Sequence, residues 1–185
     1  MKKIFNNLRM YLWMAFLTGV LYPLSITLIA QLTMKQKADG NFVYSKGKIV
    51  GSSLIGQKFE GEAYFWPRPS SIDYNPLPSG GSNLGPTSAA LKKVVDERQE
   101  KISKAHHVEK KDVPAELLFA SGSGLDPHIR VNTAYFQIDR IAKSRGMPKE
   151  KIKDVVDKMT IHRHFHLLGT ACVNVLDLNR ALDEL

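Results

Sequence analysis

The sequence predicts an α+β domain behind one N-terminal transmembrane helix: an apolar run, a β-rich ribbon and several helix-periodic stretches follow one another along the chain. Residues 11–32 carry no acidic or basic side chain, and at about 1.5 Å per residue they are long enough to cross about 30 Å of hydrocarbon. Beyond them, 43% hydrophobic and 24% charged residues overall, with nine scattered prolines, indicate one globular core rather than a disordered chain. The expected order is a cytoplasmic N-terminus (1–10), the span (11–32), a polar linker (33–40) and one extracytoplasmic domain (41–185).

The apolar run exceeds the core of a cleaved signal peptide, and Ala30-Gln31-Leu32-Thr33 offers no small-residue cleavage pattern, so the reading is an uncleaved anchor. Lys2, Lys3 and Arg9 precede it without an acid. That charge bias keeps the N-terminus in the cytoplasm and sends the rest outside; Lys35 and Lys37 weaken the bias without reversing it. Ala15 and Gly19 form a small-x-x-x-small pair beside Thr18, which lets another helix backbone approach in lipid. A plain lipid-exposed anchor is the alternative. Pro23 predicts a kink.

Residues 41–54 form two apolar runs around Ser45-Lys46-Gly47-Lys48, which is hairpin chemistry. Residues 66–83 hold too much Pro, Gly, Ser and Asn for regular structure and read as a long ordered loop. A helix is expected from Pro86 or Thr87 to about Lys104, with Pro at its first position and Leu91, Val94, Val95 and Ile102 facing inward. Two more follow: 132–145 with Tyr135, Ile138 and Ile141 inward and Gly146 as its stop, then 148–159 with Ile152, Val155, Val156 and Met159, paired as a helical hairpin. A strand is expected over 171–176, with Asp177 capping a short last helix.

A net charge of +8 raises the question of nucleic acid, but basic residues alternate with acids, as in Asp96-Glu97-Arg98 and Lys149-Glu150-Lys151. No basic stripe with interleaved aromatics exists, so no nucleic-acid partner is expected. The one cysteine, Cys172, excludes an intramolecular disulfide and reads as an inert thiol. Ser79, Gly80, Gly81, Ser82, Asn83 and Gly85 with Thr87 mimic a phosphate loop, yet Pro86 stands where lysine must reach the phosphates. Such a turn still offers N–H groups to an anion or a protein. Ser121, Gly122, Ser123, Gly124, Asp126 and His128 gather hydrolase-like residues without a G-x-S-x-G elbow, and read better as a turn whose side chains satisfy backbone donors. His162, His164 and His166 would share one face of an extended segment, but no carboxylate or cysteine joins them in the motif, so no metal site is assigned. A membrane-anchored hydrolase and a metal-binding module are the alternatives these clusters leave open.

Several longer blocks resemble one family. The run Gly51-Ser52-Ser53-Leu54-Ile55-Gly56-Gln57, then Tyr64-Phe65 with Arg68-Pro69-Ser70, Tyr74-Asn75-Pro76, residues 79–87, Val113-Pro114-Ala115-Glu116-Leu117, residues 120–129, and Val173-Asn174-Val175-Leu176 with Leu178-Asn179 and Ala181-Leu182 are similar in order and spacing to the C subunit of the bacterial Kdp potassium-transporting P-type ATPase. Arg130-Val131 and Gly169-Thr170-Ala171 depart from the familiar pattern at segment ends. The resemblance implies a non-catalytic accessory subunit of a potassium import complex in the bacterial inner membrane. Its partners would be a channel-like potassium-binding subunit, the P-type ATPase catalytic subunit and a small membrane peptide. The resemblance also implies no tightly bound cofactor, and assistance to the catalytic subunit in binding ATP, shared with that subunit. The residues named in the two glycine-rich segments are then the candidates for partner or nucleotide contact. Because the charge bias puts the domain opposite the cytoplasmic ATP, a stabilising role, covering the outer mouth of the potassium subunit, fits better.

Overall fold

The computed structural model describes every residue except Met1, Lys46, His164 and His166. The chain forms two compact units, Met1–Ser52 and Ser53–Leu185. In the first, one helix, α1 (Lys2–Thr33), is long enough to cross a membrane and contains an 18-residue window with a mean hydropathy of 1.8. Its irregularity at the proline takes the form of a π-turn at Leu17–Leu21, in which Tyr22 N–H donates to Leu17 O. Pro23 has no N–H for the Gly19 carbonyl and its ring crowds that carbonyl; the wider turn just before it makes room. Every serine and threonine hydroxyl of α1 bonds the carbonyl four residues back, so none is left bare to lipid.

A single helical turn, α2 (Lys35–Ala38), leads to strand β1 (Phe42–Ser45), which pairs antiparallel with β2 (Lys48–Ser52). This is the expected hairpin.

In the second unit, an irregular path leads to α3 (Ala89–His106), and two 3-10 turns precede β3 (His128–Arg130). Then come α4 (Val131–Arg145), α5 (Lys149–Lys158), β4 (Cys172–Asn174) and α6 (Val175–Asp183). β3 and β4 pair antiparallel, His128 opposite Asn174. The helical stripes of α4, α5 and α6 meet in the main core around Ile138, Ile141, Ile152, Val156, Leu178 and Leu182, with Ile129 and Val173 entering from the small sheet. A lesser cluster joins Ile102 of α3 to Val113, Leu117 and Leu118. The class is the α+β one expected.

Several details differ from expectation, each with a local cause. α3 starts after Ser88, whose side chain accepts from Leu91 N–H, so Pro86 lies in the preceding turn rather than at the first helical position. Only Ile102 of its expected inner face is fully buried. Tyr135 points outward and donates to Asp157. The last strand ends at Asn174, whose carboxamide accepts from Leu176 and Asp177 N–H; Asn174, not Asp177, caps α6. β3 was not anticipated, since three residues are too few to show alternation.

The irregular segment is fastened to the helices by side chains. Asn179 of α6 grips Phe65, accepting from its N–H at 2.7 Å and donating to its carbonyl at 3.0 Å. Gln137 of α4 grips Trp66 in the same way, at 2.7 and 3.1 Å. Arg140, one turn on, donates to the carbonyls of Gly61, Glu62 and Tyr64 and lies 4.1 Å from the Trp66 ring centroid. Its Nε also donates to His106 Nε2 at 3.2 Å, which requires a neutral imidazole. Burial, then the Arg140 charge, push the His106 pKa down to about 4; His107 adds to the lowering, and the Phe136 backbone and Asp139 oppose it.

Two outcomes are expected. Asn179→Ala strands the Phe65 N–H and carbonyl in the core and should lower unfolding stability by about 2–4 kcal/mol, read from the urea dependence of Trp66 fluorescence in the detergent-solubilised chain. His106 protonates in the unfolded chain near pH 6.5 and in the native one only near 4. Its neutral form therefore favours folding above that window, and stability falls as pH drops through it, by up to about 1.4 kcal/mol per pH unit. His106→Gln, which still accepts from Arg140, should flatten the urea midpoint between pH 6.5 and 5.

Candidate functional site

The two glycine-rich segments lie against each other, backbone on backbone. Ser79 Oγ and Gly80 N–H both donate to the Ser123 carbonyl, at 2.9 and 3.0 Å, and Ser71 Oγ donates to Gly80 O at 3.0 Å. Glycine is needed where the chains touch. A Cβ on Gly81 would stand 3.0 Å from Gly122 O, and one on Gly124, whose φ is +71°, would stand 2.8 Å from Gly80 O and 2.5 Å from Ile72 Cγ1. On the other side Gly56 N–H donates to Leu125 O at 2.7 Å, and a Cβ there would meet Asp126 O at 2.7 Å.

The polar side chains of this clasp serve the backbone. Ser123 Oγ accepts from Leu125 N–H, and Asp126 accepts from His128 N–H and, at 2.9 Å, from Arg68. His128 begins β3 and its Nδ1 is 3.8 Å from Asp126. Ser121 is buried, and its N–H donates to Pro69 O. Ser82, Asn83 and Gly85 lie on the outer rim, Asn83 at a φ of +53°, with the exposed side chains of Leu77 and Leu84 beside them in sequence. Sequence reasoning named these residues; that the structure brings 79–81 onto 121–124 was not foreseen.

A cleft of about 250 Å³ was missed altogether, because Lys58, Phe59, Trp66, Tyr74, Arg98 and Lys101 reach it from separate stretches of chain. Lys58 pairs with Asp73 at 2.9 Å, and Tyr74 OH donates to Arg68 O while burial pushes its phenol up to about 12. Burial likewise lowers the pKa of Arg98, which donates to Leu118 O. Cys172 is half-buried and burial raises its thiol pKa, which suppresses the reactive thiolate. Of the alternating histidines, His162 is exposed, and His164 and His166 lie outside the described residues. Among the described residues no group of three or more His, Cys, Asp and Glu is arranged to hold a metal. Ala15 and Gly19 are exposed on α1, and nothing lies within 4 Å of where a Gly19 Cβ would be.

Gly124→Val places a branched side chain at positive φ against Ile72 and the Gly80 backbone. It should open the clasp and cost about 2–4 kcal/mol, and limited proteolysis should then cut within 77–85.

Residues 4–184 match the family described as KdpC: K+-transporting ATPase, c chain. A potassium-transporting ATPase KdpC subunit from Geotalea uraniireducens is 42% identical across all of this chain and 99% of the relative. That of Serratia proteamaculans is 41% identical, covering 97% of this chain and 96% of its own length. That of Myxococcus xanthus is 46% identical over 91% of this chain and 81% of its own. The match runs from the apolar helix through both glycine-rich loops to α6, so the chain belongs to the K+-transporting ATPase c-chain (KdpC) family.

Proposed function

We propose that the chain is a non-catalytic subunit of an ATP-driven potassium importer in a bacterial inner membrane, and that its task is to assemble and stabilise the complex. α1 crosses the membrane with its N-terminus in the cytoplasm, by the charge bias of Lys2, Lys3 and Arg9. The domain stands outside, against the channel-like potassium-binding subunit, and α1 offers the open Ala15/Gly19 face to a helix of a partner subunit. The observation that carries this reading is the clasp. Ser79, Ser123 and Asp126 are engaged by Ser123 O, by backbone donors and by Arg68, as befits a rigid contact surface rather than a site of bond-breaking chemistry. The exposed Leu77 and Leu84 give that surface an apolar rim.

The further role implied by the resemblance, assistance in ATP binding through residues 79–83, acts in this orientation through assembly. A nucleotide on the cytoplasmic side would not meet the clasp directly.

A C-terminal tag, extraction in mild detergent and mass spectrometry test the proposal. Stoichiometric recovery of a channel-like subunit and a P-type ATPase subunit is expected; recovery of this chain alone would overturn it. Gly19→Leu alters only an open surface of α1 and should reduce co-recovery by about tenfold at unchanged membrane insertion.

A further inference from the structure

The hairpin that follows α1 presents an exposed apolar face. Phe42, Tyr44 and Ile49 are 44%, 58% and 56% exposed. Tyr44 pairs directly with Ile49; the register shift at Val43/Tyr44 falls on β2, where Gly51 and Ile49 face successive residues of β1, and along β1 Val43 is buried while Phe42 and Tyr44 are exposed.

This face is held at the end of α1. The Asp39 carboxylate accepts from Gln31 in the last turn of α1 at 3.0 Å and from Lys35 at 2.6 Å. Gly40 O accepts from Ser52 Oγ at 2.6 Å, which fastens the end of β2 to the same corner. Charge around the hairpin is mostly positive. Lys35, Lys37 and Lys48 are exposed, and Asp39, already engaged, is the sole acid in residues 31–59.

We propose that this hairpin is a membrane-surface anchor, lying on the lipid headgroups of the leaflet where α1 emerges. The inference rests on the reading of α1 as a membrane span. Phe42 and Ile49 enter the acyl boundary, the Tyr44 ring sits at headgroup depth with its hydroxyl toward water, and Lys37 and Lys48 meet lipid phosphates while Lys35 holds Asp39. A bilayer is favoured over a protein for two reasons. Lipid surrounds the end of a spanning helix, so the hairpin reaches it without any further partner. Aromatic and aliphatic side chains rimmed by lysine also match an anionic headgroup layer. Bound in this way, the hairpin fixes the depth and rotation of α1, which a smooth apolar helix leaves loosely set.

The test uses the full chain carrying Cys172→Ser and Ile49→Cys, with Tyr44→Cys as a second labelling site, labelled with an environment-sensitive NBD probe. It is placed in phosphatidylglycerol–phosphatidylethanolamine nanodiscs, alone and within the co-purified complex. Expected is a blue-shifted emission, quenched mostly by headgroup-proximal doxyl lipid and little by aqueous iodide, in both settings. Quenching by iodide with Trp13 in α1 still quenched by brominated lipid would overturn the hairpin's role while leaving the span intact. Protection from both quenchers in the complex would assign the face to a protein subunit and equally overturn the proposal. An unquenched Trp13 would overturn the span itself, and the hairpin's role with it.

Discussion

Everything in the second unit depends on how an irregular stretch of backbone is carried through a small core. Residues 61–66 run without a strand partner, yet Phe65 is wholly buried among the helices. A buried peptide group without a hydrogen bond is costly, so a segment of this kind needs partners for its N–H and carbonyl groups one by one. Asn179 and Gln137 supply donor and acceptor together for two successive residues, as a neighbouring strand would. Arg140 and Arg145 take the carbonyls of residues 61–64. A buried guanidinium is expensive to place there. Burial lowers the Arg140 pKa to about 10, but the group stays charged at neutral pH because carbonyl dipoles and the Trp66 face surround it.

The clasp depends on that fastening. From Trp66 the chain passes straight to Arg68, which holds Asp126, and to Pro69, whose carbonyl takes Ser121 N–H. Displacing the fastened segment would move both glycine-rich loops together. His106 completes the coupling from the other direction, since its neutral ring accepts from Arg140 and stacks 4.5 Å from Phe136. Core and clasp therefore share one polar network, in which the effects of single substitutions will not add.

The sequence shows clearly those features that rest on local chemistry. α1 is visible as an uninterrupted apolar run; α4 and α5 are visible because apolar spacing and Gly146, at a φ of +63°, define the hairpin between them. What stays hidden depends on partners distant in the chain. Gln137 and Asn179 look like surface residues of amphipathic helices, since nothing in their neighbourhood announces the backbone they grip. The glycine loops show a deeper ambiguity. An anion cradle and a backbone-on-backbone contact both require the absence of Cβ, so spacing alone cannot separate them, whereas the 2.8 Å approach of a Gly124 Cβ to Gly80 O does. The cleft beside Trp66 was illegible for the same reason as the carboxamide grips, its lining being assembled from separate stretches.

Charge bears on what the proposed assembly role can include. Net charge is +8, and even without Lys2, Lys3 and Arg9 the basic residues outnumber the acids. A domain of that sign standing over the entrance of a potassium pathway repels the ion it would be asked to concentrate, and at physiological salt this field decays over about 8 Å. In the proposed placement, electrostatic steering of potassium gains nothing from this net charge. Shape complementarity does not suffer in the same way, because a clasp built from glycine and backbone hydrogen bonds carries little charge of its own. The same reasoning makes the lysines around the hairpin useful rather than neutral in the proposed placement, since anionic headgroups are a surface that positive charge favours. Positive charge and a backbone-built contact surface fit a part that holds a transporter together, and not one that selects or concentrates its ion.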